Sequence, residues 1–313
     1  MNTSSPGCVQ SVVKRHLSLL LGLSLLLLPN IQAQTESEIS YEDFYEGLAP
    51  YGSWLYVDGF GYCWQPSVDQ DWRPYSDGSW VYTDAGWTWA SDEEWGWATY
   101  HYGRWMDLPD YGWLWVPGYE WAPAWVSWRS GGDYVGWAPL PPQAAWQPEA
   151  GFGPSVDVSF NIAPDYYSFC PVRYLGAPRL RSYIVPRREN VTIINNTVNI
   201  TKIRNVNNGM IYNEGPDFAE IGHRTEHPVR RMKLERWENF DRANMRSGRA
   251  RNSVEGDVFR VIAPPVRRSE RDEKPQKVAG TIRRDQLPES VRNARKAEMR
   301  EEWRNRPEAR QPS

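Results

Sequence analysis

The amino-acid sequence predicts a mainly β protein. It opens with a repeat β-meander, built as a small barrel or as stacked hairpins. A β-prone, Asn-rich segment follows, and then a largely disordered, partly helical basic tail. Three observations carry this. Sixteen of the 18 tryptophans lie between Trp54 and Trp146. They recur in two registers about 25 residues apart, which marks an internal repeat rather than enrichment. Charge, finally, divides sharply between the two ends of the chain.

The first element is a leader. Lys14, Arg15 and His16 precede an apolar run from Leu17 to Leu28, and Ala33 stands before the polar Gln34-Thr35-Glu36-Ser37. A basic start, an apolar stretch well short of the ~20 residues that span a bilayer, and a small residue at the cleavage position are the plan of a secretory signal peptide. Residues 1–33 are therefore expected to be removed. The mature chain is expected to carry no transmembrane segment and to be exported, to the periplasm or the extracellular space. Removing the leader deletes Cys8 and leaves Cys63 and Cys170. An oxidising compartment allows these two to pair, the alternative being two buried thiols.

The second element, residues 39–142, is the repeat domain. Gly52-Ser53-Trp54, Gly78-Ser79-Trp80 and Gly103-Arg104-Trp105 form the first register. The second reads Gly61-Tyr62-Cys63-Trp64, Gly86-Trp87-Thr88-Trp89 and Gly112-Trp113-Leu114-Trp115, with Gly136-Trp137-Ala138-Pro139 as a truncated fourth copy. Trp54-Leu55-Tyr56-Val57 and Trp80-Val81-Tyr82-Thr83 are β-formers. Asp58-Gly59, Asp77-Gly78 and Asp84-Ala85-Gly86 are turn signals, and tryptophans two apart share one face of a strand. About nine to eleven short strands with no helical periodicity are expected here.

Residues 151–223 are proline-punctuated and β-prone. Val156 to Ile162 alternates as a strand does, and the run Asn190 to Thr201 reads as an exposed strand or a linker adding an edge to another sheet. Residues 224–313 form the basic tail, too poor in apolar residues for a core of its own. A helix over 286–304, capped by Asp285, is the one element expected in it. Between Gln34 and Ala150 there are 18 acidic residues against three arginines and no lysine, whereas 224–313 holds 24 basic against 15 acidic residues. The tail is thus matched to an anionic polymer or to the acidic domain itself. Nucleic acid is not expected as a partner of an exported chain.

The stretch from Trp72-Arg73-Pro74-Tyr75 through Gly78-Ser79-Trp80-Val81-Tyr82, Trp95-Gly96-Trp97 and Tyr100-His101-Tyr102-Gly103-Arg104-Trp105 to Val135-Gly136-Trp137-Ala138-Pro139-Leu140 resembles a family of exported bacterial proteins. These share a tryptophan-rich domain of unknown function and are described as YXWGXW-repeat proteins. The likeness runs over roughly Tyr41 to Pro228. The literal motif is missing, since Asp92-Glu93-Glu94 precedes Trp95-Gly96-Trp97. The resemblance implies no established activity.

Flat indole rings accept the C–H faces of sugars, and carboxylates take sugar hydroxyls. Most of the tryptophans are nonetheless expected in the core, because a small β domain short of Leu and Ile must fill its interior with rings. Those outside the two registers, Trp95, Trp121, Trp125 and Trp128, are the candidate ligand-binding residues. Asp69/Asp71, Asp92/Glu93/Glu94 and Asp107/Asp110 supply acids but sit in turns, where acids commonly serve solubility. His101 is the sole histidine of the repeat domain, and no metal-ligand spacing or nucleophile motif occurs. No catalytic residue, cofactor or metal is expected. The expected partner is a polysaccharide or an envelope protein, with a structural role as the alternative and a polysaccharide hydrolase as the least favoured reading.

Overall fold

The structure, a computed structural model, describes residues 38–206, 209–237, 240–269 and 273–292. The expected signal peptide lies outside the described residues, as does the greater part of the expected helix over 286–304. Of the latter, Gln286 ends a 3-10 turn and residues 289–292 are helical.

The chain begins with helix α1 (Tyr41–Leu48). Four antiparallel hairpins follow: β1 (Gly52–Val57) with β2 (Gly61–Pro66), β3 (Gly78–Thr83) with β4 (Gly86–Ser91), β5 (Arg104–Leu108) with β6 (Gly112–Val116), and β7 (Val126–Gly131) with β8 (Tyr134–Pro139). A short helix, α2 (Gly96–Thr99), lies between the second and third. Beyond them come α3 (Val156–Ser159), β9 (Ser168–Pro171), α4 (Asn190–Asn195), β10 (Val198–Asn199), β11 (Ile203–Val206), β12 (Met210–Asn213) and α5 (Phe218–Arg224). Next are β13 (Lys233–Trp237), α6 (Arg242–Arg246), β14 (Ser253–Glu255), β15 (Val258–Ile262) and β16 (Gly280–Ile282).

The mainly β class holds, and of the two forms expected the hairpins are what the chain adopts. Among the described residues no sheet closes into a barrel. The sheets run β16-β1-β2-β6-β5, β10-β7-β8-β9, β11-β12-β4-β3 and β13-β15-β14.

The repeat has a simple structural meaning. Each hairpin places two tryptophans directly opposite one another: Trp54 and Trp64, Trp80 and Trp89, Trp105 and Trp115, Trp128 and Trp137. Directly opposed aromatic side chains are among the stronger cross-strand pairs. The indole N–H groups lock the hairpins to the preceding chain. Trp64 donates to the Leu48 carbonyl at 3.0 Å, Trp115 to that of Tyr102 at 2.8 Å and Trp137 to that of Tyr75 at 2.9 Å. The glycine two residues before the first tryptophan is explained by the second. At Gly52, Gly78 and Gly103 a Cβ would collide with the carbonyl oxygen of Gln65, Ala90 or Val116 and crowd the indole of Trp64, Trp89 or Trp115.

Eight strands, rather than nine to eleven, thus make up the repeat region. The fourth copy is complete and not truncated, and Trp128 belongs to the first register. Helix α1 was not expected. Its signal is a capping box, in which the Ser40 hydroxyl accepts from Glu42 N and the Asp43 carboxylate accepts from Ser40 N.

Residues 151–223 depart from the strand expectation at two places. Val156–Ser159 is a helical turn and so is Asn190–Asn195. Tertiary bonding overrides the β-forming side chains. Buried Asn190 donates from Nδ2 to the carbonyls of Pro164 and Tyr167. Arg129 holds the end of α4, donating to the carbonyls of Ile194 and Thr197, and pairs with Asp157 of α3. The edge-strand expectation survives for Val198–Asn199, which extends the sheet beside β7.

The described part of the basic segment reaches residue 292 and carries β13 to β16 and α6. It builds no core of its own but completes one made by others. Met232, Met245, Phe259, Val261 and Ile262 are buried in the main aromatic cluster, and Ile282 and Leu287 in a second one with Leu55, Val57 and Leu114. Strand β16 pairs in parallel with β1. Some of the basic segment's arginines meet acids of the hairpin domain: Arg242 and Arg246 pair with Asp43, and Arg251 with Glu94. The described residues form one compact unit.

Cys63 and Cys170 are free thiols, not a disulfide. Cys63 lies in β2 within the Leu55/Leu114 cluster, and Cys170 lies in β9 of another sheet within the main aromatic cluster. Burial pushes both thiols far above their ordinary range.

Candidate functional site

Fourteen of the sixteen tryptophans between Trp54 and Trp146 are buried; Trp95 and Trp146 are half-buried. The four proposed ligand-binding tryptophans therefore part company. Trp128 is sealed in the core, its Nε1 donating to Asn213 Oδ1 at 2.9 Å. Trp125 is sealed as well, with Nε1 on the His101 carbonyl at 3.0 Å and the Arg104 guanidinium 3.8 Å from its ring centroid. Trp121, 7% exposed, stacks on His101 at 5.2 Å and lies 5.0 Å from the Arg236 guanidinium. The expectation that these three stand exposed is overturned, because each was needed as packing. Trp95 alone of the four keeps an open part, and it lies on a cleft.

That cleft, of about 930 Å³, opens where the β3–β4 hairpin begins and ends. One wall is the loop after β2, with Asp69 and Trp72. The floor is Asp77-Gly78 and the run Asp92 to Trp95, and the far side carries Arg179, Arg181 and Ser182. The hairpin ladder continues into the floor, since Asp92 N donates to the Asp77 carbonyl at 3.1 Å.

Glu93 is the central group. Trp72 Nε1 donates to its Oε1 at 2.6 Å, the Tyr100 hydroxyl donates to its Oε2, and Ser91 Oγ lies 3.4 Å from Oε2. Burial pushes its carboxyl up to about 8, against the lowering effect of the Tyr100 and Trp72 hydrogen bonds. Asp92 is raised too, first by burial and then by the charge of Asp77. Arg181 pairs with Asp77 at 2.7 Å. The cleft thus combines indole faces with carboxyl, guanidinium and hydroxyl groups.

Sequence reasoning named Glu93 only as one acid among several. It did not reach Trp72, Tyr100, Arg179 or Arg181 as site residues. Nothing in the local pattern marks Arg179 or Arg181, which arrive from a proline-punctuated turn about a hundred residues downstream of Asp77.

A second, smaller groove of about 350 Å³ holds Tyr119, Trp121, Trp146 and Arg236. A third, of about 620 Å³, shares Val68, Asp69 and Trp72 with the main cleft.

Residues 45–144 match a family of unknown function (DUF6600). No curated protein and no solved structure matches the chain. The matched stretch begins within α1 and ends just past β8, so it covers the four hairpins and one wall and the floor of the Glu93 cleft. The Arg179–Ser182 side lies outside it. Among the described residues no helix is long and apolar enough to cross a membrane.

Proposed function

We propose that this is an exported, non-catalytic protein of the bacterial envelope that binds polysaccharide in the Glu93 cleft. The observation that carries the reading is the position of Trp95. Where nearly every other ring of the repeat is sealed, this one keeps an open part beside Asp69, Asp92, Arg179 and Arg181. Aromatic surface with a few convergent polar groups is the chemistry that recognises sugar rings and their hydroxyls.

A binding role rather than hydrolysis is supported by the state of Glu93. A glycosidase needs an acid free to protonate the leaving oxygen and a second carboxylate set against it. Both oxygens of Glu93 are already engaged by Trp72, Tyr100 and Ser91. The basic n-region and apolar run before Ala33 support export.

Affinity electrophoresis through gels cast with a panel of envelope and plant polysaccharides tests the reading. Retardation by at least one polymer, lost in Trp95→Ala, is expected. No retardation across the panel, or retardation unchanged in Trp95→Ala, would overturn it.

A second reading is favoured by the fourteen sealed rings themselves. A body so thoroughly packed suits a structural or scaffolding protein with no small ligand. In that case a protein partner is retained on cross-linking the intact envelope, and Trp95→Ala leaves that capture unchanged.

A further inference from the structure

The main cleft does not end at Trp72. Val68, Asp69 and Trp72 form its wall on one side and the wall of the 620 Å³ groove on the other. The second lobe is lined by Tyr111, Trp113 and Tyr166, with Asp107, Asp165 and Arg187. Two lobes meeting over one shared wall suit a chain-like ligand rather than a single ring.

Both lobes contain a donor without an acceptor. Trp113 is 6% exposed, and its indole N–H meets no acceptor among the described residues; the same holds for Trp95. The indole N–H groups of Trp64, Trp105, Trp115, Trp125 and Trp137 donate to carbonyls. Trp80, Trp89 and Trp121 share the lack of an acceptor, but Trp80 and Trp89 line neither lobe and Trp121 lines the separate 350 Å³ groove. An unpaired buried donor costs free energy that a ligand hydroxyl or carbonyl would recover.

Each lobe also crowds negative charge. In the first, Asp77 stands near Asp92 and Glu93; in the second, Asp165 stands near Asp107. Asp107 is held above the ordinary carboxylate range by burial, with Asp165 adding to that and Arg187 opposing it. Arg181 answers only Asp77 among the first set. An ammonium group placed in each lobe would relieve the repulsion in both.

We infer that the two lobes form one continuous groove for a linear polysaccharide whose sugar units carry free amino groups. Trp95 and Trp113 serve successive stretches of the chain, and the paired carboxylates receive its ammonium groups. This rests on the polysaccharide reading above and adds to it the length and the charge of the ligand.

Calorimetric titration of the full chain with defined oligomers tests it. The glucosamine hexamer is expected to bind at least roughly tenfold more tightly than the glucosamine dimer, because it fills both lobes. The N-acetylglucosamine hexamer is expected to bind more weakly than the glucosamine hexamer. Asp107→Asn should bring the hexamer down to about the dimer's affinity. Asp165→Asn, at an exposed position, is expected to act in the same direction without risk to the fold.

Equal affinity for dimer and hexamer, with dimer binding still lost in Trp95→Ala, would overturn the continuous groove and leave the single-cleft reading standing. An acetylated hexamer binding as tightly as the free-amine one would overturn the assignment of charge. Hexalysine binding as tightly as the glucosamine hexamer would show that any polycation suffices and overturn the sugar. If no oligomer and no polysaccharide binds, both readings fall together.

Discussion

Replacing Glu93 by glutamine isolates a carboxyl that the fold pushes well into the neutral range. Its carboxyl sits at about 8 in the native protein against an ordinary 4.5. A folded-state value above the unfolded one means that the native state holds the proton more tightly. The stability that goes with this is fully present below pH 4.5 and is lost as pH rises through 8. The loss is at most about 5 kcal/mol, at ~1.4 kcal/mol for each pH unit inside that window. Because Glu93 is half-buried on the cleft wall, solvent screening makes this an upper bound. Glutamine keeps an acceptor for Trp72 Nε1 and offers the Tyr100 hydroxyl a donor, without a charge to desolvate. Urea unfolding of wild type and Glu93→Gln, followed from pH 5 to pH 9 by tryptophan fluorescence, reads the difference. The variant should be the less stable or equal at pH 5 and clearly the more stable at pH 9. His101, which burial holds down at about 4, is common to both proteins and cancels in the comparison. A wild-type-minus-variant difference that stays constant from pH 5 to pH 9 would refute the account of Glu93 as a carboxyl protonated in its buried setting.

Three further outcomes are expected. Trp128→Ala, which empties half of a cross-strand pair in the core, should cost about 3–5 kcal/mol, while Trp95→Ala should cost under ~1.5 kcal/mol; equal losses on urea unfolding would mean that Trp95 is packing as well. Asp43→Ala leaves Arg242 and Arg246 without the fully buried carboxylate they share. It should destabilise by about 3 kcal/mol, the low end for a buried pair because the arginines are only partly covered, and a loss below the error of a urea titration would show the pairing to be inconsequential. Native protein lacking residues 1–33 should react with no equivalents of a thiol reagent and the same protein denatured with two, from Cys63 and Cys170; a denatured sample with no free thiol would mean that the two are bonded.

The hairpins were legible because cross-strand pairing is a local matter. Trp54 meets Trp64 and Trp105 meets Trp115 across turns of a few residues, so a fixed spacing records the pair directly. Trp128 escaped because the fourth copy is compressed. It follows Trp105 by 23 residues, where the earlier steps are 26 and 25, and Val126 stands where Gly52, Gly78 and Gly103 stood. The cleft was less legible for the opposite reason. The acidity of Glu93 is set by Trp72 and Tyr100, which come from different loops, and the far wall comes from Arg179 and Arg181. None of these leaves a mark on its neighbours in sequence. The apolar residues of the basic segment serve the hairpins rather than one another. Met232, Met245, Phe259 and Ile282 are too sparse to form a core, but each fills space in one built by the hairpins.

The same point explains why the chain is acidic at one end and basic at the other. Hairpins that do not close into a barrel leave strand edges, and unpaired edges invite unwanted association. Here later segments cover them: β16 lies against β1, β12 against β4, β10 against β7 and β9 against β8. Beyond β3, Tyr82 N donates to the Arg230 carbonyl and Met232 N to that of Tyr82. Arginines that must also find the acidic α1 and the Glu93–Glu94 turn give that covering a direction. What the covering segments leave open is the start of β3 at Gly78 and the loop after β2, which are the places where the carboxylates of the groove collect. The charge that draws the basic segment onto the domain and the charge left uncovered beside Gly78 and the loop after β2 belong to one acidic surface.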